Sequence, residues 1–161
     1  MRKQFLPYLV IGLLLVAVAI GLVLYGNRGS RLELEGAVLK VRTQAMDEAS
    51  SVAVIDFRFV NSSNYLFVVR TVDVSVEDSQ GNTVEARTVS ERDARQLFRY
   101  YPLLGQKFND SLVIQARIRP HQSLDRMVTA RFEIPEQQLQ ARRKLRIRIE
   151  DVDGAVSELV E

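Results

Sequence analysis

His121 is the one histidine in the chain, and it stands two residues before Ser123 in "PHQS". A serine and a histidine perform acyl transfer when a carboxylate orients the imidazole and hydrogen-bond donors wait for the oxyanion. Neither partner is marked here, and no Gly-x-Ser-x-Gly elbow is present. The motif falls in a proline-containing turn, which reads as a solvated loop histidine. The sequence holds no cysteine, which removes thiol catalysis, disulfides and Cys-ligated zinc together. A single histidine leaves a transition-metal site short of ligands. "EDVDG", Glu150 to Gly154, has the look of a calcium loop. With Gly154 at the invariant glycine position, however, Ile149 and Val160 would stand at the first and last ligand positions, and neither coordinates. These residues predict no enzyme, no cofactor and no metal.

Other stretches suit contact rather than catalysis. In "ARRKLRIRI", Arg146 and Arg148 alternate with apolar residues and form one exposed stripe of a sheet. They are candidates to meet phosphate headgroups or an acidic partner, set against the plainer reading of a solvated face. Aromatic residues that would stack on bases are missing there, and the net charge is only +2. Nucleic acid is therefore not expected. In "RYYPLLG", Arg99 to Gly105, aromatic residues accompany arginine, the composition of interface centres. Arg99, Tyr100, Leu103 and Leu104 are candidate contacts with another membrane protein. The plainer reading is that they cap an open end of the fold. Asn61-Ser62-Ser63 and Asn109-Asp110-Ser111 match the N-glycosylation pattern, a match common by chance.

These residues must be positioned by elements whose period is mostly two. "VAVIDFRFV" puts Ala53, Ile55, Phe57 and Phe59 on one face. "SLVIQARIR" does the same for Leu112, Ile114, Ala116 and Ile118. "MVTARFEI" aligns Val128, Ala130, Phe132 and Ile134, and "KLRIRIE" aligns Leu145, Ile147 and Ile149. Such alternation marks half-buried antiparallel strands. Further strands are expected at Leu32 to Arg42 and Leu66 to Glu77. A turn over Asp78 to Asn82 should bring Thr83 to Val89 back as a hairpin. Asp153-Gly154 is a two-residue turn signal that returns Ala155 to Val160. About seven or eight strands at this spacing predict an all-β antiparallel sandwich. One amphipathic helix is inserted. "SERDARQLFRYY" opens on Ser90 with Asp93 three residues on, a capping-box-like start. Ala94, Leu97, Phe98 and Tyr101 share one side of it, and Pro102 ends it. A second helical turn is expected from Pro135.

Ahead of this domain runs "FLPYLVIGLLLVAVAIGLVLY", Phe5 to Tyr25, without a charge. About 20 apolar residues cross a bilayer core. A secretory signal would offer Arg2 and Lys3 as its basic start and Ala17-Val18-Ala19 as its cleavage site. Its apolar region runs only about 7–15 residues, though, and here the run continues past that site. A retained single-pass anchor is the reading. The expected organisation is a tail over 1–4, a transmembrane helix over 5–25, a linker over 26–31, a sandwich over 32–153, and a last turn and strand over 154–161. "GNRGS" is short, so the domain should begin within about 20 Å of the bilayer at about 3.3–3.6 Å per residue. Basic residues follow the anchor at Arg28, Arg31, Lys40 and Arg42, against an N-terminus-inside arrangement. Long domains translocate largely regardless of charge, so the expectation is a cytoplasmic N-terminus and a domain outside the cytoplasm, in a cell membrane of the bacterial-envelope kind.

"VIDFRFVNSSNYLFVVRTVDVSVEDSQGN" and "RIRPHQSLDRMVTARFEIPE" resemble the immunoglobulin-like domains of the late-embryogenesis-abundant type-2 and water-stress group, and related small bacterial membrane-anchored domains. In the first, a strand ends at Asn61, turns, and a long strand runs into Gly81. In the second, a strand, a proline turn and a strand end in Phe-x-Ile-Pro. The resemblance implies a non-enzymatic, anchored binding or scaffolding module and supplies no catalytic residues. The inserted helix departs from its short connection. The function expected is an interaction or accessory subunit of a membrane complex. The alternative is an envelope ligand-binding protein or enzyme that uses a cleft in the sandwich.

Overall fold

A computed structural model describes residues 12–22 and 34–161. The chain divides into two compact units, Met1–Arg31 and Leu32–Glu161. In the first, residues 12–22 form a helix, α1. Among the described residues no helix is long and apolar enough to cross a membrane. The rest of the expected span, 5–11 and 23–25, lies outside the described residues, as do the tail and linker.

The second unit is a two-sheet antiparallel sandwich. Its strands are β1 (Leu34–Ala45), β2 (Ser51–Asn61), β3 (Phe67–Glu77), β4 (Thr83–Glu85), β5 (Arg87–Thr88), β6 (Arg117–Ile118), β7 (Ser123–Phe132), β8 (Lys144–Asp151) and β9 (Val156–Val160). The helices are α2 (Glu91–Tyr100), followed by a 3-10 turn at Pro102–Leu104, and α3 (Glu136–Gln140). One sheet has the order β1-β2-β7-β5, the other β4-β3-β8-β9, with β6 also pairing β3. Alternation delivers the core as expected. Ala53, Ile55, Phe57 and Phe59 of β2 and Val128, Ala130 and Phe132 of β7 face Val72, Val74 and Val76 of β3 and Leu145, Ile147 and Ile149 of β8. The Phe57 and Phe59 rings stack at 5.7 Å. The last strand forms, with Gly154 in the left-handed turn region at φ 87° and β9 paired to β8.

The first sheet departs from simple alternation, because it is covered on both faces. Val52, Val54 and Met127 point away from the sandwich core and are still buried. They pack with Ala94 and Leu104, beneath Leu97, Phe98 and Tyr101. The inserted helix thus builds a second small core on the outside of the sheet. Its start follows the capping signal: Asp93 N–H donates to the Ser90 hydroxyl at 3.2 Å.

Two expected strands are corrected by one physical reason: the chain crosses between the sheets. Thr83–Glu85 pairs with β3, but Arg87–Thr88 pairs with β7 on the other sheet, so 83–89 is not one hairpin arm. Likewise 111–119 is not one strand. Ser111 bridges Met127 of β7, whereas Arg117–Ile118 pairs with β3. The chain turns between them, with Gln115 at φ 65°, and Ile114 is 65% exposed rather than buried.

Candidate functional site

The segment that follows α2 divides its residues sharply. Tyr100 and Leu103 are 78% and 87% exposed, but Leu104 is 1% exposed. Leu104 is therefore removed from the candidate contacts. The 3-10 turn started by Pro102 advances about a third of a turn per residue, so Leu103 faces outward while Leu104 drops onto Val52, Val54 and Met127. Arg99 lies exposed in the last turn of α2, where its charge suits the carbonyl end of the helix.

This rim is held by Arg42 of β1. Its guanidinium donates to the carbonyls of Leu104 at 2.6 Å and Gln106 at 2.7 Å, and to Asp56 at 2.7 Å. The second oxygen of Asp56 accepts from the Asn109 amide at 2.9 Å. The same guanidinium lies over the rings of both Phe98 and Phe108, 5.3 and 5.4 Å from their centres, within cation–π range. Phe108 is 63% exposed and also lies 5.9 Å from the Lys40 ammonium. It joins Tyr100 and Leu103 as an exposed apolar side chain on a fixed segment. The signal for this network was Asp56 inside the apolar run "VAVIDFRFV", since a buried carboxylate requires a partner.

The other end of α2 is fixed by Glu91. Its carboxylate accepts from Arg95 at 2.9 Å, from the Lys107 ammonium at 2.9 Å and from the Ser111 N–H at 2.9 Å. Burial alone would raise the Glu91 carboxyl; hydrogen bonds from Ser111, Lys107 and Arg95 outweigh it and lower it to about 2. Burial likewise opposes the Lys107 charge, and Glu91 and Asp110 more than restore it, raising its proton affinity.

Beside Glu91 lies a groove of about 560 Å³, lined by Val72, Asp73, Thr88, Ser90, Leu112, Ile114 and Val128 among others. It lies where the chain makes its two crossings between sheets. Its volume is within the range of ligand sites, about 300–1,000 Å³.

The remaining candidates are placed individually. Arg146 and Arg148 are exposed on the outer face of β8. Arg148 has Asp73 and Glu158 as its ladder neighbours, and Arg146 Nε lies 3.5 Å from Glu158. The stripe alternates in charge instead of concentrating positive charge, which weakens its fit to phosphate headgroups. The His121 Nε2 meets Asn64 Oδ1 at 3.0 Å, and its backbone N–H donates to Asn61 at 2.7 Å. It fastens two loops. Asp151 of "EDVDG" is fully buried and turned inward, accepting from the N–H groups of Val68 and Asp153. Asn61 is also fully buried, its amide nitrogen donating to the carbonyls of Tyr65 and Ile118.

No protein-family model matches the sequence, and no curated protein matches it. A solved structure, of an uncharacterized β-sandwich protein from Clostridium difficile 630, is similar to this chain. The two are 8% identical, with a TM-score of 0.39, over 79% of this chain and 84% of that one.

Proposed function

We propose that the protein is a single-pass, membrane-anchored, non-enzymatic interaction module. Its N-terminus is cytoplasmic and its domain, an immunoglobulin-like sandwich of the late-embryogenesis-abundant type-2 kind, is outside. It is an accessory subunit that meets another membrane protein through Tyr100, Leu103 and Phe108, with Arg99 at the rim. The observation that carries this reading is the contrast between Leu103, 87% exposed, and its neighbour Leu104, 1% exposed. Apolar side chains presented on a segment tied down by Arg42 lose little conformational freedom on binding, which favours affinity. The anchor is supported by the uncharged run from Phe5 to Tyr25.

The test is cross-linking in intact membranes, with a photoreactive residue at position 103 or 100. The expected result is one discrete heavier species, lost when Tyr100→Ala is added to the position-103 probe with the melting temperature unchanged. A spread of weak products, or none, overturns the docking assignment. Alkaline extraction checks the anchor: the full-size chain should remain with the membrane, and release at about 15–16 kDa, the mass left after loss of a leader, would overturn it. The groove gives a specific reason to keep the second reading, a binding protein that uses a cleft in the sandwich.

A further inference from the structure

We propose that the groove binds an extended segment of a partner polypeptide, which adds to the sheet at Val72 and places one apolar side chain beside Ile114. This deepens the cleft reading and rests on it; it is independent of the Tyr100–Leu103 patch.

The argument starts from the hydrogen bonds of β3. On one side β3 pairs with β8 from Val69 to Glu77. On its other side it has β4 opposite Ser75–Glu77 and β6 opposite Phe67–Val68. Among the described residues, no strand pairs with the stretch between on this side. Main-chain groups alternate sides along an antiparallel strand. The Val74 carbonyl accepts from Ala86 at 2.9 Å, so it points to the β4 side, and Val72, two residues back in unbroken register, points the same way. At the far end Val69 is occupied, donating to Ala116 at 3.0 Å and accepting from Gln115 at 2.7 Å. Had β4 run on in register, Thr88 would stand opposite Val72. Instead Thr88 pairs with Ala130 on the other sheet. The N–H and C=O of Val72 therefore face the groove with no ladder partner among the described residues, flanked by two occupied positions.

The apolar surroundings fit the same ligand. Val128 and Leu112, 3% and 6% exposed, belong to the main core, and both line the groove. Val113 and Ile114, 48% and 65% exposed, stand along it as large apolar side chains in water. A strand that adds to a sheet edge supplies main-chain hydrogen bonds for affinity and alternate side chains for pockets. This groove offers both halves within one short span. An anionic ligand is disfavoured, because Asp73 and Glu91 both line it.

The test uses the full-length protein in detergent micelles and a positional-scanning library of hexapeptides, N-acetylated and C-amidated. Pools with Val, Ile or Leu at a central position should bind, and saturation should slow amide exchange at Val72 by about tenfold or more, as expected for one new hydrogen bond. N-methylation of the central residue of the best peptide should weaken it about tenfold, for the same reason. Ile114→Asp, at an exposed position, should abolish binding. Tyr100→Ala with Leu103→Ala should leave binding unchanged, so failure here and failure of the patch are read separately. If no pool binds at about 1 mM, or the Val72 amide is already protected without peptide, the proposal falls. Equal binding of methylated and unmethylated peptides also overturns strand addition, and leaves a slot that reads apolar shape alone.

Discussion

The Arg42 guanidinium and the Asp56 carboxylate meet at 2.7 Å, with their side chains only 10% and 5% exposed. They lie on adjacent strands, on the outside of a sheet, where charged residues would ordinarily reach into water. The inserted segment covers them. Arg42 also donates through its other terminal nitrogen, Nη1, to the backbone carbonyls of Leu104 and Gln106. The ion pair is thus the joint between the sandwich and the rim that presents Leu103.

Asp56→Ala should destabilise the protein by about 3–5 kcal/mol, the cost of leaving a buried charge without its partner. The double change Arg42→Met and Asp56→Leu should cost clearly less, since no lone charge remains. Urea unfolding of both variants, followed by circular dichroism, measures this. An unchanged midpoint for Asp56→Ala would show that the pair contributes nothing.

Leu104→Ala should cost about 2–5 kcal/mol, because it opens a cavity in the small outer core. Leu103→Ala, one residue earlier, should stay within about 0.5 kcal/mol. The pair of melting curves decides the orientation of the turn: comparable losses at both positions would mean that Leu103 is packed and unavailable to a partner.

The period-two runs made the inner faces of β2, β7 and β8 legible, since each buries one face against a common core. Asp93 three residues after Ser90 likewise located the start of α2. The two crossings were hidden for a definite reason. "SLVIQARIR" alternates as a strand should, yet Leu112 serves one sheet and Ile118 the other. Alternation reports which side is apolar, not which sheet it joins. The Leu103–Leu104 contrast was also invisible, because a single 3-10 turn is too short to show a period. The groove arises where two segments fail to pair, and unpaired backbone leaves no mark in side-chain pattern.

Acid should weaken the joint between α2 and the loop carrying Lys107. Burial opposes the Glu91 charge, but its hydrogen bonds from Ser111, Lys107 and Arg95 lower the folded-state carboxyl from 4.5 to about 2. Below about 4.5 the unfolded chain takes up this proton first, so protonation favours unfolding. The stabilisation is complete above that pH and fades as pH falls through about 2. Glu91→Gln should lower the melting temperature at pH 7 and flatten its fall between about pH 4.5 and 2. Parallel pH profiles for the two proteins over that range would refute the assignment.

Asn61 should carry no glycan even in a host able to attach one, despite the Ser63 that completes the motif. The acceptor nitrogen is the atom that donates to the Tyr65 carbonyl at 2.7 Å and the Ile118 carbonyl at 3.1 Å. Its oxygen accepts from the Ser63 N–H and hydroxyl at 3.1 and 2.7 Å, so every polar atom of the side chain is engaged. Asn61→Ala removes these bonds and takes a donor from the buried Ile118 carbonyl, at about 1–3 kcal/mol for a buried group left unpaired, while the Tyr65 carbonyl can still accept from the Ser63 hydroxyl at 3.2 Å. Ser63→Ala also destroys the motif but should cost less, because Asn61 keeps both of its donor bonds. Secretion of the domain from a eukaryotic host, with intact mass measured before and after glycosidase treatment, tests occupancy. Urea unfolding of the two variants tests the stability order. A glycan mapped to Asn61, or a Ser63→Ala loss as large as that of Asn61→Ala, would show that this amide is not the internal tie between the loop after β2 and β6.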